Sequence, residues 1–281
     1  MLFLIGEDGH GSFDIFIDYA KAIGDRIDSS SIYSRTLPSE IKCSHIACMN
    51  GHLFKEARSM FPHATFMFIN TEQMVLSAHR KRVIKFHTKN SNVIHIDYSQ
   101  QNLDILSKHI PSLRSVWIPQ LPPIHPPPIT RRPISIVFLG ALSSERTVFL
   151  GKLGKQLDMC VYTYSGEPTP NTILVHNRLF GCDRDNVLRQ TRIVLNIPID
   201  TEHTIFPSLR IHWALYQGAH VVTFPCLQEP EWESPSLRRG IHVVDDFAAN
   251  IKEVLEMPPP TLEEQDHAFF NERIQALLKL F

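Results

Sequence analysis

Short apolar runs alternate with stretches of helical periodicity in the first part of the chain. The apolar runs predict β-strands at residues 2–5, 31–33, 45–49, 65–69 and 93–96. Between them, apolar residues at helical spacing predict helices over residues 13–27, 53–60 and 103–109. Strands separated by helices pair in parallel through right-handed crossovers, so this part predicts a doubly wound parallel sheet.

The same kind of pattern begins again after residue 133. Strands are predicted at residues 134–139, 159–164, 173–175, 193–197, 221–224 and 242–244, and helices over residues 147–157, 209–216 and 247–255. A final amphipathic helix is predicted over residues 263–280. No close internal repeat relates the two parts, so we interpret them as analogous and not duplicated.

A proline-rich segment separates the two parts. Seven of the twenty prolines lie between Pro119 and Pro133. Proline fixes φ and lacks the N–H that a helix or strand uses, so the segment is predicted to be a stiff, extended connector. We therefore expect an α/β protein of two Rossmann-like domains with parallel sheets facing a cleft. The predicted boundaries are 1–120, a linker at 121–133, 134–260, and a C-terminal helix at 261–281.

Composition places the chain among globular proteins, with 43% hydrophobic and 20% charged residues. A formal net charge of −1 gives no bulk attraction to nucleic acid, and the basic residues between Arg80 and Lys89 are interpreted as a solvated face. The five dispersed cysteines favour neither a disulfide framework nor a thiolate zinc site. No apolar stretch reaches membrane-spanning length, so we expect a soluble, cytoplasmic protein.

Two strand-to-helix loops are candidate anion sites, because ligands of parallel sheets bind beyond the carboxyl ends of the strands. Residues 6–12 contain three glycines, but their spacing does not match a dinucleotide fingerprint, and a purely structural turn is an equal alternative. In the second part, Gly140 allows a tight turn and Ser143 or Ser144 can cap the next helix. Arg146 lies in that helix's first turn, where a cation is unfavourable unless it meets an anion such as phosphate.

A third loop follows the strand that ends at Asn196. The next helix is predicted to begin at Ser208, a suitable N-cap, with Leu209 and Arg210 in its first turn. Arg146 and Arg210 would then lie at two helix N-termini on one sheet edge. That arrangement predicts a clamp for a diphosphate.

Other catalytic patterns are missing from the sequence. We find no metal-binding triad, no Walker loop and no Gly-x-Ser-x-Gly elbow. Most of the fifteen histidines are therefore interpreted as structural or exposed. A dinucleotide-dependent oxidoreductase lacks its glycine fingerprint and stays the third alternative.

Several short elements resemble GT-B glycosyltransferases of the family-1-like type found in bacteria and large viruses. In the first part these are Asn70–Gln73 with Glu72, Asp97-Tyr98-Ser99 with Asn102, and Ile118-Pro119. In the second part they are Leu139-Gly140 with Ser144 and Arg146, Gly181 to Arg184, Leu195-Asn196, and Arg210 with Ala214-Leu215 and Gly218. The resemblance extends from about residue 44 to residue 244.

The resemblance implies a nucleotide-sugar donor bound mainly by the second domain, an acceptor bound mainly by the first, and neither cofactor nor essential metal. The acceptor hydroxyl could belong to a glycan, a small molecule or, less expected, a DNA base. Two positions depart from the family pattern: Pro198 replaces a histidine, and residues 206–208 lack a glutamate. A catalytically degenerate binding protein is therefore the alternative to a transferase.

Under the leading hypothesis, Arg146 and Arg210 stabilise charge on the leaving diphosphate, and Ser144 and Ser208 hold its oxygens. An inverting reaction needs a general base, for which Glu72, His10 and Asp8 are the candidates; a retaining reaction does not. A non-catalytic alternative for Glu72 is that its carboxylate caps the following helix.

Overall fold

The computed structural model describes residues 1–6, 12–122, 131–163, 172–176, 179, 181–199, 207–225, 238–261 and 263–281. These residues form two compact units. The first comprises Met1–Leu121 together with His267–Phe281, and the second comprises Pro122–Asp266.

The first unit is built on a parallel sheet of six strands. These are β1 (Leu2–Leu4), β2 (Ile32–Ser34), β3 (His45–Met49), β4 (Thr65–Asn70), β5 (Ile94–Asp97) and β6 (Ser115–Trp117). Their order is β2-β1-β3-β4-β5-β6, and each neighbouring pair is parallel. The buried strands read as near-continuous apolar runs because parallel sheets are covered on both faces.

Helices α1 (Ser12–Ile27), α2 (Phe54–Met60), α3 (Ser77–Lys89) and α4 (Gln100–Ser107) connect these strands. The sequence pattern did not predict α3, and the reason is visible in its buried face. That face consists of His79, Val83 and His87, spaced four residues apart. Two of its three buried positions are histidines, so a search for apolar periodicity does not detect the helix.

The second unit contains another parallel sheet of six strands. These are β7 (Ile134–Leu139), β8 (Met159–Thr163), β9 (Thr172–His176), β10 (Thr191–Asn196), β11 (His220–Thr223) and β12 (Ile241–Val243). Their order is β12-β11-β10-β7-β8-β9. The accompanying helices include α5 (Ser144–Leu153), α6 (Gly181–Arg189), α7 (Ser208–Tyr216) and α8 (Phe247–Val254). The polar α6 and the three-residue β6 were also not predicted.

The predicted fold class, α/β with two parallel sheets, is confirmed. The order of the second sheet is that of a dinucleotide-binding Rossmann fold, and the first has the flavodoxin-like order with one more strand. In each sheet the chain reverses its direction of strand addition at one point, between β1 and β3 and between β7 and β10. Ligands of such sheets bind at this switch point, beyond the carboxyl ends of the strands.

The C-terminal helix α9 (Glu264–Leu278) belongs mostly to the first unit. Its Phe269 ring lies 5.9 Å from the Trp117 ring of β6, and the Arg273 guanidinium lies 5.1 Å from the same indole. The helix therefore packs against the last strand of the first sheet. Across the described ranges, no helix is both long and apolar enough to cross a membrane.

Candidate functional site

The turn after β7 lies at the switch point of the second sheet. Gly140 has φ 156°, and a Cβ there would lie 3.3 Å from the Phe138 ring. Ser143 is the N-cap of α5, and its Oγ accepts a hydrogen bond from the Arg146 backbone N–H at 3.2 Å. The same hydroxyl donates to the Ile199 carbonyl at 3.0 Å, so it also ties this turn to the loop after β10. Ser144, the first residue of α5, is exposed.

Arg146 cross-links the two loops of this switch point. Its side chain is only 4% exposed. Nε donates to the carbonyl oxygens of Ile197 and Pro198 at 3.0 and 3.1 Å, and Nη1 donates to the Ala141 carbonyl at 2.7 Å. The guanidinium also lies 5.4 Å from the centre of the Phe138 ring. These carbonyl dipoles explain how a cation is tolerated in the first turn of a helix. Direct contact between Arg146 and a phosphate stays a prediction.

A directional chain of hydrogen bonds links Arg210 to the ends of β10 and β11. Arg210 is exposed, and its Nη1 donates to Asn196 Oδ1 at 3.2 Å. Asn196 is buried, and its Nδ2 donates to Thr223 Oγ1 at 2.9 Å. The Thr223 hydroxyl in turn donates to the Phe224 carbonyl at 3.2 Å. Asn196 therefore orients an exposed guanidinium at the carboxyl edge of the sheet.

The start of α7 differs in one detail from the prediction. The helix begins at Ser208, but the N-cap is Pro207, whose carbonyl accepts from the N–H groups of Arg210 and Ile211 at 2.9 and 3.1 Å. The expectation that Ser208 is the N-cap was therefore wrong, because the helical hydrogen bonding already begins at the Pro207 carbonyl and Ser208 is the first residue inside the helix. Leu209 is half-buried in the first turn, and Arg210 is the third helical residue.

The body of α7 is anchored to α6 by a cluster that sequence reasoning noted only through resemblance. The Asp185 carboxylate accepts from Trp213 Nε1 at 2.7 Å and from Arg184 Nη2 at 2.8 Å. The Arg184 guanidinium lies 4.7 Å from the Trp213 ring centre. These contacts hold the helix that carries Arg210 in a fixed orientation.

In the first unit, a buried polar cluster surrounds Asp97 at the carboxyl end of β5. The Asp97 side chain is fully buried. Oδ2 accepts from Asn70 Nδ2 at 2.8 Å and from His95 Nε2 at 3.0 Å, and Oδ1 accepts from the Ser99 N–H at 3.0 Å and from Asn102 Nδ2 at 2.8 Å. Four donors on one carboxylate satisfy its acceptor sites, which is what a buried acid requires.

The same cluster holds the backbone of Glu72. The Glu72 carbonyl accepts from Asn70 Nδ2 at 2.7 Å and from Asn102 Nδ2 at 2.9 Å, and its N–H donates to Asn70 Oδ1 at 3.2 Å. The Glu72 side chain is half-exposed, two residues after the end of β4. The interpretation that Glu72 caps the next helix was wrong, because α3 begins at Ser77 after Leu76 and has no side-chain cap.

Three histidines extend the cluster, and their hydrogen bonds define their tautomers. His95 donates from Nε2 to Asp97, so its Nδ1 accepts from His87 Nε2 at 3.0 Å. His79 donates from Nε2 to Asn70 Oδ1 at 3.0 Å, and its Nδ1 faces Arg82 Nη2. Burial, with the nearby Arg82 charge, lowers the pKa of His79 to about 4, and burial lowers the pKa of His87 to about 3. Both rings are therefore neutral, which agrees with their predicted structural role.

The loop after β3 is a part of the first switch point that sequence reasoning missed. Asn50 and Leu53 have φ values of 48° and 53°, in a region that non-glycine residues rarely adopt. The Asn50 side chain is tied to Thr71 by two hydrogen bonds, of 2.7 and 3.1 Å. Such local strain clusters at functional sites. The only sequence signal was the Asn50-Gly51 pair.

Two candidate bases, His10 and Asp8, lie outside the described residues. In the part of the chain that the structure describes, no group of three His, Cys, Asp or Glu side chains is arranged to hold a metal ion.

Comparison with known proteins identifies the fold. No protein-family model matches the chain, and no curated protein matches its sequence significantly. Among solved structures, TarM aligns with a TM-score of 0.51 at 14% identity, over 84% of this chain and 51% of TarM. The DNA-modifying enzyme β-glucosyltransferase, whose substrate is uridine diphosphoglucose, aligns with a TM-score of 0.50 at 10% identity, over 99% of this chain and 94% of that one. The chain thus has the fold of GT-B glycosyltransferases and spans about half the length of TarM.

Proposed function

We propose that this protein is a glycosyltransferase that moves a sugar, a hexose, from a nucleotide-diphosphate sugar to a hydroxyl acceptor without a metal ion. The observation that carries the proposal is the convergence of three features at the second switch point. These are the glycine turn at Gly140, the N-terminus of α5, and the exposed guanidinium of Arg210 oriented by Asn196. β-Glucosyltransferase, which takes uridine diphosphoglucose, shares the fold.

The donor's diphosphate binds at this edge of the second sheet. The first turn of α5 presents backbone N–H groups and the exposed Ser144, and the positive end of the helix dipole favours an anion there. Arg210 contacts the diphosphate from α7, and Ser208, two residues earlier in the chain, is the second expected contact to its oxygens. As the bond between the sugar and the phosphate breaks, negative charge develops on the leaving diphosphate. A fixed guanidinium stabilises that charge more in the transition state than in the ground state.

Arg146 acts mainly by positioning in this proposal. Its hydrogen bonds join the turn after β7 to the loop after β10. Loss of these bonds would release both loops together. Any direct contact between Arg146 and phosphate adds to this role.

The acceptor binds to the first unit, where Glu72 is the candidate base. In an inverting reaction the Glu72 carboxylate takes the proton of the acceptor hydroxyl while the acceptor oxygen forms its bond to the sugar carbon. The hydrogen bonds of Asn70 and Asn102 to the Glu72 backbone hold this residue in place. A retaining reaction needs no such base and would leave Glu72 a hydrogen-bonding role.

The proposal is tested by calorimetric titration with nucleoside diphosphates, the corresponding nucleosides, and nucleotide-sugars. Arg210→Ala should weaken diphosphate binding by about tenfold or more, since a hydrogen bond to a charged group contributes roughly 1.5–3 kcal/mol, and should leave nucleoside binding unchanged. Arg189→Ala is the matched control, because Arg189 lies in the last turn of α6 and bonds to Asn186.

Three results contradict parts of this scheme. Equal losses of affinity for the nucleoside and the nucleoside diphosphate in Arg210→Ala would show that Arg210 does not contact the phosphates. Failure of every nucleotide to bind would refute the donor class. Binding without turnover across a wide acceptor panel would favour the degenerate binding protein, for which the missing glutamate near residue 207 is the sequence argument.

A further inference from the structure

A cavity lies at the amino-terminal edge of the second sheet, opposite to the edge that carries Arg210. Its volume is about 310 Å³, and it is lined in part by Arg131, Arg132, Arg192 and His220. Arg131 and Arg132 precede β7, Arg192 is the second residue of β10, and His220 begins β11. Since β11, β10 and β7 are neighbours, their amino ends bring three guanidinium groups to one cavity. Asn196, at the carboxyl end of β10, lies at the other edge.

Of the three arginines, Arg132 is the one that forms hydrogen bonds with described residues. Arg132 donates from Nη2 to the Gln217 carbonyl at 2.7 Å and from Nη1 to the Thr191 carbonyl, and its buried Nε has no hydrogen-bond partner among the described residues. Burial lowers the pKa of Arg132 to about 10, so it stays a cation at neutral pH. Arg131 and Arg192 are exposed, and neither forms an ion pair with a described residue.

Among the described residues, no acid forms an ion pair with these three arginines. The exposed Glu253 and Glu256 lie at the end of α8, and neither pairs with an arginine of the cavity in the described part of the chain. Burial and the nearby Arg132 charge lower the pKa of His220 below its usual value, although its hydrogen bond to the Pro258 carbonyl at 2.8 Å acts in the opposite direction, so the ring is neutral at pH 7. The positive charge at this cavity therefore comes from the arginines alone.

The remaining wall of the cavity is apolar. Val254, Met257 and Pro259 line it, and Met257 is exposed although it is a large hydrophobic residue. A cavity of this size is at the lower end of the range for small-molecule sites, about 300–1,000 Å³. Guanidinium groups bind phosphate through paired, charge-assisted hydrogen bonds.

We infer that this cavity binds a small organic phosphate, with the phosphate on Arg131, Arg132 and Arg192 and the organic group against Met257 and Pro259. The site lies at the edge opposite to Arg210 and is independent of the proposed donor site. The half-buried Arg132, held by the Thr191 and Gln217 carbonyls, provides a fixed cation, and the two exposed arginines contact the phosphate from the amino ends of β7 and β10.

The test uses phenyl phosphate, which carries a phosphate and an apolar ring but no nucleoside, titrated into the full chain by calorimetry. In the double variant Arg131→Ala/Arg192→Ala, the dissociation constant should rise by about tenfold or more, since even one lost charge-assisted hydrogen bond accounts for that factor. The matched control is Lys152→Ala/Lys155→Ala, which removes the same charge from two exposed residues of the same unit that do not line the cavity.

Each other result overturns the inference. Unchanged affinity in the arginine double variant would show that the cavity is not the site. An equal loss of affinity in the lysine double variant would show that the effect comes from the net charge of the protein and not from the cavity. If only Arg210→Ala weakened the binding of phenyl phosphate, the ligand would bind at the carboxyl edge of the sheet and not in this cavity. Inorganic phosphate binding as tightly as phenyl phosphate would exclude a contribution of the organic group.

Discussion

Replacing Asp97 by asparagine tests whether the buried cluster of the first unit supports both stability and the Glu72 loop. The substitution conserves size, so it creates no cavity and changes only the hydrogen bonding. The carboxylate accepts from Asn70, His95, Ser99 and Asn102. An amide has one acceptor oxygen, so its NH₂ group must face two of these donors in either orientation.

The expected loss of stability follows from that count. Two donors lose their acceptor, and a hydrogen bond to a charged group contributes roughly 1.5–3 kcal/mol, which gives about 3–6 kcal/mol. The lower value applies if the amide faces His95, because His95 and His87 can then move their protons to Nδ1. That shift leaves a buried N–H on His87, whose Nδ1 has no hydrogen-bond partner among the described residues.

The assay is thermal unfolding of the full chain by calorimetry, in which the transition of the first domain should move. For a domain of this size, about 3 kcal/mol corresponds to a melting temperature lower by roughly 10 °C. Asp104→Asn is the control, because Asp104 is exposed on α4 and its carboxylate accepts one hydrogen bond from a described residue, Gln100. A shift no larger than that of the control would refute the reasoning.

A second measurement separates stability from function. Since Asn70 and Asn102 hold the Glu72 backbone and also bind Asp97, the asparagine variant should turn over more slowly below its melting transition. Its affinity for the donor nucleotide should not change, because the proposed donor site is in the other unit. Unchanged turnover in the folded variant would show that the cluster does not position Glu72 for the reaction.

Three further predictions concern the candidate base Glu72, the buried histidines and the absence of a metal requirement. Glu72→Gln should lower turnover by about 10²-fold with unchanged donor affinity if Glu72 is the base, whereas normal turnover would exclude that role. Because the folded-state pKa values of His79 and His87 are lowered to about 4 and 3, the unfolded chain binds more protons than the folded chain at pH values below about 6.5. The free energy of unfolding, measured in urea, should therefore fall as the pH drops from about 6.5 to 4. Each histidine contributes up to about 1.4 kcal/mol for every unit by which its pKa is lowered, so His87→Leu should make the free energy of unfolding depend less steeply on pH. Finally, EDTA should leave turnover unchanged; a loss restored by Mg²⁺ or Mn²⁺ would contradict a metal-free mechanism.

The chemistry of the candidate site was predictable only in part. Gly140, Ser143 and Arg146 were recognised because glycine, a capping serine and a first-turn arginine are local signals. The partners of Arg146 were not predictable, since Ile197 and Pro198 lie about fifty residues away and contribute only backbone carbonyls. Any residue type can supply a carbonyl, so no side-chain pattern marks these partners.

The basic cavity shows the same limitation more strongly. Arg131, Arg192 and His220 are far apart in the sequence and belong to no motif. Only the parallel pairing of β7, β10 and β11 brings their amino ends together. A search for local spacing therefore finds the loops at the carboxyl edge and misses the site at the opposite edge.

The sequence by itself determined the α/β class and the two parallel sheets, because apolar runs and helical periodicity are local properties of the chain. It did not determine α3, whose buried face is made of His79 and His87. Those rings can be buried only because Asn70 and His95, on separate strands, supply their hydrogen bonds. Tertiary structure decided which polar residues belong to the core and which edge of each sheet carries charge, since both depend on partners distant in the chain.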